Sequence, residues 1–262
     1  MSTPLDDPPL ADPIEESERI AAAAHKKKLK LKLLGGAGVH AHSPSARRAP
    51  LKRKYGDLDY AISKKDRKAA IELFKELGYE ANERFNLMNG DRRLYFYDTE
   101  HGRQVDVFID VFRMSHQIDL RERLAHEHPA VTPSDLLLSK LQIYEVNRKD
   151  LIDIAALMLD HAIETGDATD VRDAIEAAYI ARLAAGDWGF YRTLQVNIER
   201  LRAVLEELEE IDRELVNARL DALWKHIEDA PKPLRWRLRA QVGDRVRWYE
   251  LPEETRSPYQ PE

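Results

Sequence analysis

In the segment Tyr55-Gly56-Asp57-Leu58-Asp59-Tyr60-Ala61-Ile62, two carboxylates are separated by a single residue. Residues two apart in an extended strand share a face, so Asp57 and Asp59 project together while Leu58 and Tyr60 turn the other way. Two such charges repel each other, and a divalent cation between them relieves the repulsion. Hard carboxylate oxygens of this kind suit magnesium or manganese. A third acid, Asp106, interrupts the apolar run Gln104-Val-Asp-Val-Phe-Ile109, and Asp110 is its rival further along. Like charges on neighbouring strands cost stability unless an ion compensates them. The chain has no cysteine, which excludes disulfides, thiolate zinc sites and a cysteine nucleophile.

A second motif precedes the acids. Leu33-Leu34-Gly35-Gly36-Ala37-Gly38-Val39 reads as an apolar strand entering a glycine turn and then a helix. Bare amides at a helix N-terminus can approach a phosphate there, although many strand-to-helix turns need glycine for backbone reasons alone. No Gly-Lys-Ser/Thr follows, so this is not a Walker loop. Charge is unevenly spread around it. Residues 1 to 20 hold six carboxylates against Arg19 and account for most of the net charge of -6, whereas Arg19 to Gly56 contains 11 Lys or Arg and no acid. The basic run should raise a positive potential, and the acidic, proline-rich residues 1–13 read as disordered.

The elements that would position these residues change character once along the chain. Alternating apolar runs separated by glycine turns occupy about 29 to 112, with an amphipathic helix near 64 to 77. From Thr132-Pro133-Ser134-Asp135, an N-cap followed by proline at the first helical position, the pattern is helical. The expected fold class is α+β: a small mixed sheet with flanking helices over 14–130, then an α-helical domain over 131–232. Residues 233–262 read as a hairpin carrying Arg235, Arg237 and Arg239 on one face, followed by a loose tail from Pro252 to Glu262. Leu194, Ile198, Leu201, Leu205, Leu208, Ile211 and Leu215 step by three and four, predicting one long amphipathic helix over 194–215. Core packing is its first explanation and a homodimer seam its second. The pairs His40/His42 and His126/His128 lack further ligands at metal spacing and read as solvated or capping residues. Asp150 and Asp153, one helical turn apart, read as a capping or packing feature. No apolar run is long enough for a membrane span, so the cytoplasm is the expected location.

The Gly35-Gly36 turn, Arg53 four residues before Asp57-x-Asp59, and an acid on a later strand together resemble the nucleotidyltransferase superfamily, in particular its AbiEii-like, toxin-type branch. Lys140 within Asp135-Leu-Leu-Leu-Ser-Lys140, and Arg148-Lys149-Asp150-Leu-Ile-Asp153, are similar to that branch's helical motifs. The resemblance spans about residues 29 to 162. Gly38 and Tyr55 depart from the pattern, and the loop from Gly36 to Asp57 is longer than in minimal members. The resemblance implies a metal-dependent transfer of NMP from a nucleoside triphosphate to a hydroxyl of RNA, such as tRNA, or of a protein. It assigns Asp57, Asp59 and Asp106 to magnesium or manganese and catalysis, and Gly35, Gly36, Arg53 and Lys140 to the nucleotide. The alternatives are a nucleotide- or RNA-binding protein of the same fold without turnover, and an interaction protein acting through its long helix.

Overall fold

Leu58, Tyr60 and Ile62 alternate with Asp59 and Ala61, and Val105, Val107 and Ile109 alternate with Asp106 and Phe108. Strands written this way can cover both faces with helices while keeping charged side chains at one spot. The structure, a computed structural model, describes residues 8–166 and 173–251. Its elements begin with α1 (Pro13–Lys26), β1 (Lys32–Leu33), α2 (Gly35–His42), β2 (Leu58–Ile62), α3 (Arg67–Glu76), β3 (Glu80–Ala81), α4 (Glu83–Asn89), β4 (Arg93–Asp98) and β5 (Arg103–Ile109). They continue with β6 (Val111–Arg113), β7 (Gln117–Asp119), α5 (Pro133–Leu141), α6 (Arg148–Asp160), β8 (Ile163–Glu164) and β9 (Ile175–Glu176). Four helices follow: α7 (Ala177–Gly186), α8 (Trp188–Leu205), α9 (Glu210–Asp229) and α10 (Leu234–Val242).

The main sheet has the order β1-β2-β5-β4-β3, with β2 and β5 parallel and the other pairs antiparallel. One face buries Leu58, Tyr60, Ile62, Val105 and Val107 against Ile20 of α1 and Leu73 and Phe74 of α3. On the other face, Ala61 and Phe108 join Leu34 and Val39 in a core that continues into Leu136, Leu157, Ile180, Leu194 and Leu220. The sheet and the helical region therefore share one continuous core, and α2, α5 and α6 are packed between them. As its sequence signals predict, α5 starts at Thr132, whose side chain accepts from the Asp135 N–H, with Pro133 first in the helix.

Three expectations meet a different structure. Residues 1–7 of the expected disordered segment lie outside the described residues, but residues 8–13 lead directly into α1. The Asp12 carboxylate accepts from the Ile14 and Glu15 N–H groups, and the Leu10 N–H donates to the buried Glu16. Composition averaged over the segment concealed a local helix start, an Asp N-cap followed by proline.

The single helix expected over 194–215 is two helices, α8 and α9, separated by a turn at 206–209. Leu194, Ile198, Leu201, Leu205 and Leu208 are core, whereas Ile211 is 74% and Leu215 41% exposed. Reversal of the chain lets α9 bury Val216, Leu220, Leu223 and Ile227 instead. Most of the supposed dimer seam is thus already covered within one chain.

The expected hairpin near the C-terminus is the helix α10, ended by Gly243 at φ +59°. Leu, Arg, Ala and Gln are good helix formers, and the Trp236 indole N–H anchors α10 by donating to the Ala184 carbonyl at 3.0 Å. On a helix Arg235 and Arg239, four residues apart, share a face while Arg237 turns away from it, so the three do not line one strand face. The Pro252–Glu262 tail lies outside the described residues. Among the described residues, no helix is long and apolar enough to cross a membrane.

Candidate functional site

The site begins where β1 turns into α2. Leu34 donates its N–H to the Asp59 carbonyl at 2.7 Å, tying the turn to β2. Gly35 then adopts φ +59°, a conformation that side chains disfavour. A Cβ at Gly35 would lie 2.1 Å from Asp59 Oδ2, and one at Gly36 would lie 1.9 Å from a terminal guanidinium nitrogen of Arg53. The paired glycines therefore let the N-terminus of α2 close over the Asp59 carboxylate and the Arg53 fork together. Gly38 has a different job. A Cβ there would meet Leu136 at 2.8 Å and the Leu33 carbonyl oxygen at 3.1 Å, so its bareness seats α2 against β1 and α5.

Parallel pairing of β2 with β5 puts Asp59 opposite Asp106. Asp57 precedes β2, and its carboxylate accepts from the backbone of Gln104. Burial, and then the neighbouring Asp106 charge, push the Asp59 carboxyl up to about 7, while Lys140 pulls the other way. Desolvation also raises Asp57 and Asp106; for Asp106 the adjacent Arg93 offsets part of it. Arg93 donates from Nε to Asp106 Oδ1 at 2.6 Å, and its guanidinium lies 4.9 Å from the Phe108 ring centre. Asp110, the rival to Asp106, is a turn residue at φ +61° whose carboxylate accepts the Lys64 N–H at 2.9 Å. It belongs to the far end of β5. Among the described residues, no three acidic or imidazole side chains form a group able to hold a metal ion by themselves. Asp57, ahead of β2, is exposed, Asp59 is half-buried, and Asp106, expected as a third ligand, is engaged by Arg93.

The two cations expected at a nucleotide do meet near the acids, but through partners that the sequence reading set aside. Arg53 grips Asp153 with two bonds of 2.7 and 2.6 Å. Lys140 lies 2.7 Å from Asp150 and 3.1 Å from Asp153. Burial alone would lower Lys140, yet Asp153, Asp150 and Asp59 outweigh it and hold the ammonium above its ordinary value. Arg53 is likewise raised against its own desolvation by Asp153. Asp153 is thus the shared anchor of both cations, on the inward face of α6. Its spacing from Asp150 was visible; the cations on that face were not. Tyr55, which departs from the resembled pattern, lies with its ring 4.4 Å from the Arg53 guanidinium carbon and edge-on to His40.

Other charged groups fall elsewhere. Lys32, in the basic run, turns under the 126–128 loop and donates to the His126 and His128 carbonyls; burial lowers it to about 8. His42 stacks on His128 with ring centres 4.0 Å apart and meets His161 edge-on. His42 and His128 are half-buried and pack with the buried His161 at the far end of α2, so His42 is not the solvated residue expected, while His128 does accept the Ala130 N–H at 3.1 Å. Arg93 was missed altogether, because its contact with Asp106 follows only from the β4–β5 register.

No protein-family model matches the chain, and no curated protein matches it. Solved structures with similarity include the lincosamide antibiotic adenylyltransferase LnuA in its lincomycin-bound form, at 16% identity and TM-score 0.42, covering 56% of this chain and 98% of that one. Another is the antibiotic-resistance factor ANT(2'')-Ia, at 12% identity and TM-score 0.37, covering 55% of this chain and 81% of that one. A third is a STING-associated CdnE c-di-GMP synthase from Capnocytophaga granulosa, at 13% identity and TM-score 0.28, covering 82% of this chain and 79% of that one.

Proposed function

We propose that the chain is a magnesium- or manganese-dependent nucleotidyltransferase that moves NMP from a nucleoside triphosphate to a hydroxyl of an acceptor, RNA such as tRNA or a protein, with release of pyrophosphate. One observation carries the reading. Asp59 and Asp106 face each other on parallel strands beneath the Gly35-Gly36 turn, with Arg53 against Gly36 and Lys140 within the field of Asp59. Acids and cations on opposite sides of a helix N-terminus suit a polyphosphate together with its cation.

The carboxylates fit a hard divalent ion. Magnesium commonly binds through one or two carboxylates, with waters and substrate phosphates completing its shell, so two acids are sufficient. Asp57 and Asp59 would hold it, and when bound it neutralises charge on the phosphates. In the proposed reaction the acceptor oxygen bonds to the α-phosphorus, the bond from that phosphorus to the bridging oxygen breaks, and pyrophosphate leaves. Asp106 takes the acceptor's proton on Oδ2 while Arg93 steadies Oδ1. The α2 amides at Gly35 and Gly36 line the phosphates. Arg53 and Lys140 sit where they steady negative charge, held in place by Asp153 and Asp150.

The same ion pairs favour a second reading, a nucleotide binder without turnover, because Arg53, Lys140 and Arg93 already have carboxylate partners. Incubation with Mg2+ and each α-32P-labelled nucleoside triphosphate, with and without total cellular RNA, separates the two. The transferase reading expects label on RNA or protein, lost in the Asp57→Ala/Asp59→Ala double variant. Magnesium-dependent nucleotide binding with no transfer from any of the four triphosphates would replace it with the binding reading.

A further inference from the structure

Two residues beyond Asp106 on the same face of β5 stands Phe108, and past it opens a cavity of about 350 Å³. Its floor is apolar, formed by Phe108 and Ile109 with Met114 at the side. Its mouth is cationic, with Lys64, Arg92 and Arg113 exposed there. Three acids also line it, Asp110, which accepts the Lys64 N–H, Asp91, 3.7 Å from Arg92, and Glu250, against the exposed cations Lys64, Arg92, Arg113 and Arg121. The wall shared with the proposed site is Arg93, bonded to Asp106 and lying over the Phe108 ring.

We propose that this cavity binds a small molecule with a flat apolar body and one anionic group, and that the anion competes with Asp106 for Arg93. The volume falls in the range of small-ligand sites, which pair apolar walls with a few polar groups. Arginine forks bind carboxylate, sulfonate or phosphate oxygens through paired N–H bonds. An anion seated at Arg93 draws the guanidinium away from Asp106 Oδ1, so occupancy of the cavity and the state of that carboxylate are coupled. By reciprocity, removing the Asp106 charge must strengthen the ligand. The cavity does not depend on the nucleotide chemistry proposed above, and its test uses no nucleotide.

The probe is 8-anilinonaphthalene-1-sulfonate, followed by fluorescence on the full chain without metal, beside its uncharged analogue N-phenyl-1-naphthylamine. The expected result is saturable binding of the sulfonate and at least tenfold weaker binding of the neutral analogue. Arg113→Ala should weaken the sulfonate severalfold, and Met114→Trp, which fills the cavity, should abolish saturable binding. Asp106→Asn should tighten it severalfold. Equal binding of charged and neutral probes, or a signal indifferent to both Arg113→Ala and Met114→Trp, overturns the site. Unchanged affinity in Asp106→Asn overturns the competition for Arg93.

Discussion

Replacing Asp59 with asparagine should make the metal-free protein more stable while removing its function. Asp59 is raised from 3.8 to about 7 by burial and by Asp106, so the folded state resists its charge more than the unfolded state does. The folded pKa lies above the unfolded one, so the penalty is absent below pH 3.8, grows as pH rises, and is complete above pH 7. At about 1.4 kcal/mol per pH unit, the shift corresponds to about 4 kcal/mol at pH 8. That shift is already net of the opposing pull of Lys140, so about 4 kcal/mol favours Asp59→Asn. For a chain of this size such a gain raises Tm by about 8–16 °C. The assay is thermal unfolding in EDTA at pH 8 and pH 4, repeated at pH 8 with millimolar Mg2+. The variant should melt higher at pH 8, level with the wild type at pH 4, and lose its lead when Mg2+ stabilises the wild type. A variant that melts lower at pH 8 in EDTA, or a difference indifferent to pH, would refute the argument from a strained carboxylate.

Gly35→Ala forces a side chain into a left-handed backbone and onto Asp59 Oδ2, so it should cost about 2 kcal/mol or more and abolish transfer. Gly36→Ala meets only the end of the Arg53 side chain and the Tyr55 ring, so melting curves should show a smaller loss while KM for the triphosphate rises. Asp153→Asn uncouples Arg53 and Lys140 from their common anchor, and urea unfolding should show a loss of about 2–4 kcal/mol. Acid should destabilise the protein through its histidines, since burial lowers His42 to about 3 and His126 to about 4. The unfolded chain takes up protons below pH 6.5 and the folded chain does not, so stability falls from there towards pH 4. Allowing for partial exposure, about 2 kcal/mol should be lost between pH 7 and 5, and His42→Phe should flatten that slope in urea titrations.

How far the sequence reaches can be followed through single residues. Asp59, Gly35 and Gly36 were legible because a strand and a strand-to-helix turn fix their local geometry, whereas Asp57, expected on the same strand face as Asp59, lies one residue before β2. Asp106 was legible by its charge within an apolar strand, and the β2–β5 register then placed it opposite Asp59. Arg93 and Asp153 were not, because each acts through a partner on another element, thirteen and one hundred residues away. The same limit explains the stripe from Leu194 to Leu215. Periodicity states which side chains want cover but not where the chain turns back, so one expected helix became two that cover each other. Even the acidic N-terminal segment follows this rule: its average composition suggested disorder, while one Asp-Pro pair was enough to begin α1. The residues that hold the charges of the site in position therefore belong to the tertiary level. That is where Asp153, shared by Arg53 and Lys140, and Arg93, shared by Asp106 and the cavity beside it, link the proposed chemistry to the rest of the fold.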